Sequence, residues 1–168
     1  KEPMNMIACE NAIRGTSQLK KAVYENLSDA GKAYADEYVG FADCAVDRIV
    51  PPVKSENFID VVVEEYFEWD VEKSGLKGEF PQIEGMTLVD DLMAYIERKL
   101  FTLNTGHCIT AYRGNLRGIP TIDKAIADEE IFGIVSAAMK ESGAGLIKKY
   151  GFDPEKHAAY IKKIIGRF

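Results

Sequence analysis

Apolar residues recur at helical spacing through most of the second half of the chain. Thr87, followed three residues later by Asp90, resembles a capping box and predicts that a helix starts at Thr87. The apolar positions that keep the helical period from there are Leu88, Leu92, Tyr95, Ile96, Leu100 and Leu103. This spacing predicts a helix that buries one face.

Three further helices are predicted toward the end of the chain. Thr121 opens the first, and residues 129–149 form the longest. Gly151 is expected to end that long helix, because glycine adopts the left-handed backbone conformation at little cost. Asp153 is expected as the N-cap of the last helix, with Pro154 in its first turn.

The first half of the chain alternates helical and strand-like patterns. The apolar run 6–9 predicts a buried strand, and the apolar positions of 13–27 and 30–38 predict two helices. Val, Ile and Phe are frequent in 39–53, which ends in two consecutive prolines and predicts a strand and a turn.

Residues 60–69 predict one more strand, buried at first and then alternating, and glycines mark 75–85 as a loop. The predicted fold class is therefore mainly α with a small β component. The pattern shows no clear domain boundary. The loop 75–85 is the best candidate for a hinge, and a surface loop is an equal alternative.

Composition and charge restrict the function classes. The 168 residues carry a formal net charge of −6, which disfavours a nucleic-acid partner because such partners need a basic face. The apolar runs are too short to span a bilayer, so no membrane partner is expected. Three widely spaced cysteines argue against a disulfide framework and favour a cytoplasmic location.

The segment 97–107 is the strongest candidate for chemistry, because it places Lys99, Asn104 and His107 in a mainly apolar setting. On one continuous α-helix, His107 would lie about 80° and Asn104 about 140° around the axis from Lys99. Burial among apolar residues lowers the pKa of a lysine, and such a lysine can act as a general base. An asparagine amide can donate to a developing alkoxide. This set suits the oxidation of an alcohol without a metal.

The same three residues also have a purely structural interpretation. Lys99 could extend from a buried helix to solvent, Asn104 could cap a helix end, and His107 could be a core histidine with satisfied hydrogen bonds. A zinc site at the cysteines and histidines is disfavoured, because the sequence contains no closely spaced cysteine pair.

Several motifs resemble those of the polyol-specific long-chain dehydrogenases. The main one is Lys-Leu-Phe-Thr-Leu-Asn-Thr-Gly-His-Cys-Ile-Thr-Ala-Tyr at 99–112. Cys-Glu-Asn at 9–11, Arg-Gly-Thr at 14–16, Val-Asp-Arg at 46–48 and Lys-His-Ala-Ala-Tyr at 156–160 extend the resemblance over nearly the whole chain. The motifs Cys-Glu-Asn, Arg-Gly-Thr and Lys-His-Ala-Ala-Tyr favour the phosphate-using branch, the mannitol-1-phosphate 5-dehydrogenases.

The resemblance implies a role for particular residues. Lys99 matches the general base, and Asn104 matches an asparagine that hydrogen-bonds the reacting oxygen. Asn11 matches the second asparagine of that arrangement, on the nicotinamide side of the cofactor, and His107 matches a histidine that contacts substrate. Asp47 matches a position that binds substrate hydroxyls.

Arg48, beside Asp47, is a candidate ligand for the substrate, and Arg14 and Arg48 are both phosphate candidates. The implied reaction interconverts D-mannitol 1-phosphate and D-fructose 6-phosphate with NAD, without a metal. Two alternatives stay open. One is a dehydrogenase of an unphosphorylated polyol or a sugar acid, and the other is a non-catalytic helical interaction domain.

The resemblance also implies a domain organisation. Residues 1–11 would be the end of a Rossmann domain, and 12–168 would be part of a mostly helical substrate domain with the 6-phosphogluconate dehydrogenase-like C-terminal fold. The sequence lacks the G-x-G-x-x-G fingerprint for binding NAD. We therefore expect an internal piece of a longer, monomeric enzyme, inactive alone and prone to self-association.

Overall fold

The computed structural model describes residues 2–53 and 56–168. Its contacts divide the chain into two compact units, Lys1–Leu92 and Met93–Phe168, called here the first unit and the second unit. The first unit combines helices with short strands, and the second unit is helical.

The first unit begins with a parallel pair of strands joined through two helices. These elements are β1 (Met4–Met6), α1 (Gly15–Glu25), α2 (Asp29–Tyr38) and β2 (Val39–Phe41). Each residue of β1 pairs with one of β2 in parallel register. A parallel pair requires a crossover connection, and the two helices provide it. Both helices were expected from the sequence, whereas the first strand lies slightly earlier than predicted.

A second sheet of three strands completes the first unit. Its strands are β3 (Cys44–Asp47), β4 (Glu68–Glu72) and β5 (Thr87–Val89), in the order β3-β4-β5, with a short 3-10 turn at Lys73–Gly75. The β3–β4 pair is antiparallel and the β4–β5 pair is parallel. The small core of this unit is formed by Ala42, Cys44 and Val71.

Two predictions for this unit were wrong. The valine-rich part of 60–69 is not a strand, because β4 begins only at Glu68. Val61 is 66% exposed, and no strand within 2–53 and 56–168 pairs with this segment, so its β propensity alone does not make a strand. Thr87 does not start a helix. It lies in β5 opposite Asp70, and this pairing outweighs the local capping pattern.

The second unit consists of helices packed around one apolar core. They are α3 (Leu92–Lys99), a π-helical turn (Leu100–Asn104), α4 (Thr105–Leu116), α5 (Ile122–Ile126), α6 (Glu129–Tyr150) and α7 (Pro154–Ile165). The buried core side chains are Leu103, Ala125, Ile131, Val135, Met139, Ile161 and Ile164. Hydrophobic burial of these helix faces is the main source of stability here.

The predicted helix ends in this unit are confirmed. Gly151 adopts a left-handed conformation after α6, and its N–H donates to the Ile147 carbonyl. The side chain of Asp153 accepts from the Lys156 N–H, and Pro154 occupies the first turn of α7. Within 2–53 and 56–168, no helix is both long enough and apolar enough to cross a membrane.

Candidate active site

A π-helical turn at Leu100–Asn104 interrupts the helix that carries the candidate residues. The Thr105 N–H donates to the carbonyls of Leu100, five residues back, and of Thr102, and not to that of Phe101, as an α-helix requires. The assumption of one continuous α-helix through this segment was therefore wrong. Short π-helical turns of this kind are frequent at functional sites.

The π-helical turn changes which residues share a face. On an α-helix, Lys99 and Asn104 would be about 140° apart. Hydrogen bonds between residues five apart wind the backbone more slowly, so these two positions move toward the same face. Lys99 is half-buried and Asn104 is exposed. The two positions are therefore nearer to each other around the helix axis than the sequence pattern alone predicts.

His107 lies on the same side as Asn104, because residues three apart on an α-helix are neighbours. Its imidazole stacks on the ring of Phe168, with the ring centroids 4.2 Å apart and the planes inclined by 24°. This contact restricts the orientation of the imidazole. Sequence reasoning missed Phe168, because a stacking contact between residues 61 positions apart leaves no local pattern.

Gly106 makes this packing possible. A Cβ atom at Gly106 would lie 2.8 Å from Phe168 Cζ and 3.0 Å from the sulfur of Met139. Both distances are shorter than a normal carbon contact, so Phe168 can lie over His107 only because residue 106 has no side chain.

In the first unit, Asn11 lies in the exposed bend between β1 and α1. The bend is held by two polar contacts close to Asn11. The Ala8 N–H donates to Thr16 Oγ1 at 2.8 Å, and the Cys44 thiol donates to the Ala8 carbonyl at 3.2 Å. Burial raises the pKa of the Cys44 thiol to about 12, with the neighbouring Cys9 as the next cause, which keeps the thiol protonated as a donor.

The N-terminus of α1 is capped by a carboxylate from a distant part of the chain. Asp43 is 1% exposed and accepts from the Ser17 N–H at 2.8 Å and from Ser17 Oγ at 2.6 Å. Arg14 precedes the helix in a left-handed conformation (φ 54°), and its guanidinium lies 4.0 Å from Asp43. Sequence reasoning missed Asp43, since its partners are about 26 residues away and no spacing rule connects them.

Asp47 and Arg48 end β3 and begin the following segment. Asp47 is buried. Arg48 Nε donates to the Glu64 carbonyl at 3.0 Å, and its guanidinium lies 5.2 Å from the centre of the Phe67 ring. A cavity of about 240 Å³ is lined by Cys9, Val46, Arg48, Phe67, Glu68 and Trp69. The fold thus brings Cys9, the first residue of the Cys-Glu-Asn motif, and Arg48 to one cavity of the first unit.

The candidate residues therefore fall into two sets. Lys99, Asn104 and His107 share one helix of the second unit. Asn11, Asp47 and Arg48 belong to the first unit. Among the residues whose structure is described, no three His, Cys, Asp or Glu side chains are grouped so that they could hold a metal.

Residues 1–85 match the family model of the mannitol dehydrogenase Rossmann domain, and 91–168 match that of the mannitol dehydrogenase C-terminal domain. The chain therefore belongs to the mannitol dehydrogenase family. The predicted fold class is confirmed, namely a helical C-terminal domain preceded by part of a Rossmann domain.

The division of the structure by its contacts falls after Leu92. The domain boundary that the resemblance implies after Asn11 stays a prediction.

Two solved structures are similar to the chain. One is D-sorbitol dehydrogenase in substrate-free form, with a TM-score of 0.78 and 23% identity over 97% of this chain and 37% of that one. The other is Pseudomonas fluorescens mannitol 2-dehydrogenase in a ternary complex with NAD and D-mannitol. Its TM-score is 0.74, with 23% identity over 97% of this chain and 36% of that one. The chain thus spans little more than a third of either protein.

Proposed function

We propose that the full-length protein interconverts D-mannitol 1-phosphate and D-fructose 6-phosphate, with NAD as the cofactor. The observation that supports this proposal is the π-helical turn, whose slower winding brings the positions of Lys99 and Asn104 nearer to one face than α-helical spacing would. Membership of the mannitol dehydrogenase family supports the reaction class. The choice of a phosphorylated substrate rests on the resemblance of the sequence motifs.

In the proposed mechanism, the neutral amine of Lys99 takes the proton of the substrate hydroxyl as the C–H bond breaks. The Asn104 amide donates to the same oxygen as it gains negative charge, and the resemblance assigns Asn11 the second amide donor. His107, held by Phe168, contacts a neighbouring hydroxyl. Asp47 and Arg48 are proposed substrate ligands.

NAD, when bound, supplies the acceptor for the hydride. Residues of this chain fit only part of its site. At the β1–α1 junction, Asp43 already accepts the Ser17 N–H, so this helix end does not offer that donor to a pyrophosphate. The sequence also lacks the glycine-rich fingerprint. We therefore propose that Asn11 reaches the nicotinamide side and that the phosphates of NAD bind elsewhere.

A second candidate is a dehydrogenase that acts on an unphosphorylated polyol. Two of the phosphate candidates are already engaged, Arg14 beside Asp43 and Arg48 with Glu64 and Phe67. The basic cluster Lys162, Lys163 and Arg167 at the end of the chain is a further candidate. The two similar structures are named for sorbitol and mannitol, neither of which is phosphorylated.

The test is the oxidation of NADH by the full-length protein, with fructose 6-phosphate and fructose offered in parallel. A strong preference for the phosphate ester would support the proposal. Turnover of fructose alone would establish the second candidate. If the protein turns over neither sugar, and no other ketose or sugar acid either, the remaining interpretation is a non-catalytic helical domain.

The role of Lys99 is tested by Lys99→Met, with Lys148→Met as the control on an exposed lysine of α6. Loss of a general base is expected to lower kcat by a factor of about 10²–10⁴. The control should keep wild-type turnover. Equal turnover of the two variants would show that Lys99 is not the base.

The remaining proposals concern partners and location. We propose a cytoplasmic, monomeric full-length enzyme that does not bind nucleic acid, while the 168-residue chain alone is inactive and self-associates through exposed apolar side chains. Light scattering on the isolated chain tests the last point, and a monomeric mass at high concentration would contradict it.

A further inference from the structure

The π-helical turn leaves one backbone carbonyl without its α-helical donor. In an α-helix, the Thr105 N–H would donate to the Phe101 carbonyl, four residues back. Here it donates to the Leu100 carbonyl instead, and Thr105 Oγ1 donates to the same oxygen at 3.2 Å. Backbone carbonyls in folded proteins are nearly always hydrogen-bonded, so the Phe101 oxygen needs another donor.

Ser142 of α6 supplies that donor. Its Oγ lies 2.6 Å from the Phe101 carbonyl oxygen and 3.2 Å from the Met139 carbonyl of its own helix. A hydroxyl has one proton to donate, and the shorter distance assigns it to Phe101. The hydrogen bond therefore joins α6 directly to the π-helical turn, 41 residues away in the sequence.

We propose that Ser142 is a positioning residue, whose hydroxyl maintains the π-helical turn and so keeps Lys99 and Asn104 on one face of the helix. Without the Ser142 hydroxyl, the Phe101 carbonyl lacks a donor, and a hydrogen bond from the Thr105 N–H to it, as in an ordinary α-helix, becomes more favourable. That change would rotate Asn104 and His107 relative to Lys99 by about one residue, or 100°. This inference rests on the proposed function where the turnover rate is used to detect a change in the positions of Lys99 and Asn104.

The chain offers a matched control on the same helix. Ser136 also lies on α6, and its hydroxyl is buried without a hydrogen-bond partner among the described residues. The change Ser136→Ala therefore removes the same group from the same helix without touching the turn. Ser142→Thr keeps the hydroxyl at residue 142 and is the rescue variant.

The experiment measures kcat and KM of the full-length protein for the ketose that it reduces. In Ser142→Ala, kcat should fall about 10–100-fold with KM nearly unchanged, because a misplaced base costs rate more than binding. Ser136→Ala should match wild type, and Ser142→Thr should recover most of the rate. Wild-type kcat in Ser142→Ala, or an equal loss in Ser136→Ala, would overturn the proposal.

If Ser142→Ala does not fold, the pair Ser142→Thr and Ser142→Val decides, because the two side chains have the same shape and differ in the hydroxyl. The valine variant should lose turnover that the threonine variant keeps. Equal turnover of the two would contradict the proposal.

Amide hydrogen exchange separates this inference from the proposed function. The pattern of exchange within 98–108 should change in Ser142→Ala, because the Thr105 N–H then donates to another carbonyl, and it should stay unchanged in Ser136→Ala, whatever the substrate. If the wild-type protein turns over no ketose, the proposed function fails while the exchange still tests the role of Ser142. Unchanged exchange in Ser142→Ala would refute that role.

Discussion

The two units reach stability in different ways. The second unit buries whole side chains between helices, and Ile131, Val135, Met139 and Ile164 have no exposed surface. The first unit has few such side chains. Its strands are three to five residues long, and long apolar side chains such as Phe58, 96% exposed, remain at its surface.

In place of a large core, the first unit depends on close backbone approach and on buried polar contacts. A Cβ at Gly75 would lie 2.5 Å from Ala42 Cα, so two backbone segments nearly touch. The carboxylate of Asp43 is buried at the N-terminus of α1, where it satisfies free donors. We therefore expect the stability of the second unit to depend mainly on side-chain volume in its core. The stability of the first unit should depend mainly on backbone geometry.

The largest effect is expected from Met139→Ala in the second unit. Met139 is completely buried in the main core, and its truncation should lower the free energy of unfolding by about 2–5 kcal/mol. Denaturant unfolding of the full-length protein measures this, with Lys140→Ala as an exposed control on the same helix. A loss below about 1 kcal/mol would mean that this core does not dominate the stability of the second unit.

The next effect is expected from Gly75→Ala in the first unit. The added methyl would lie 2.5 Å from Ala42 Cα and 2.7 Å from the Phe41 carbonyl oxygen, both backbone atoms that cannot rotate away. We expect a loss of about 1–3 kcal/mol, with faster amide exchange in the first unit only. The control is Lys73→Ala in the same turn. Amide exchange that accelerates equally in both units would contradict the proposal that backbone geometry stabilises the first unit in particular.

Gly145→Ala should have a smaller and opposite effect. No atom lies within 4 Å of a Cβ at Gly145, and alanine favours the interior of a helix, so stability should rise by about 0.5–1 kcal/mol. Gly143→Ala is the matched variant, because its Cβ would lie 2.7 Å from His157 Nε2 and should destabilise. Thermal unfolding compares the two, and a common sign would contradict this prediction.

The smallest effect is a pH dependence from His157, which is 4% exposed. Burial, and secondly the charge of Arg98, lowers the pKa of His157 below its ordinary 6.5. The unfolded chain then binds the proton more readily than the folded one. The contribution to stability is therefore complete above about pH 6.5 and is lost as the pH falls toward the lowered pKa.

The pH effect is measured as the difference in melting temperature between wild type and His157→Gln from pH 8 to pH 5. The difference should change only below about pH 6.5, in the direction that destabilises wild type. A constant difference over this range would show that the folded state does not disfavour the charged imidazole.

Local patterns predicted the helices of the second unit well, because their signals lie within a few residues of each other. Gly151 and the pair Asp153-Pro154 act through their own backbone conformations, so their roles were visible in the sequence. A local pattern also gave the wrong prediction of a strand over all of residues 60–69. Their β propensity was read without knowledge of whether a partner strand lay beside them.

For the candidate site, the sequence predicts a set of residues but not their arrangement. Lys99, Asn104 and His107 were identified from one motif, whereas the α-helix assumed for them was wrong. The π-helical turn depends on a hydrogen bond from Ser142, and the orientation of His107 depends on Phe168. Neither contact can be read from spacing along the chain.

The sequence by itself determined the family, the helical character of the second unit and the residues that carry the proposed chemistry, because motifs and helical periods are local. Only the tertiary structure decided which carbonyl Thr105 bonds, which carboxylate caps α1 and which ring covers His107. Each of these contacts joins residues far apart in the chain. Their geometry exists only once the packing of distant elements has placed a donor or a ring within reach.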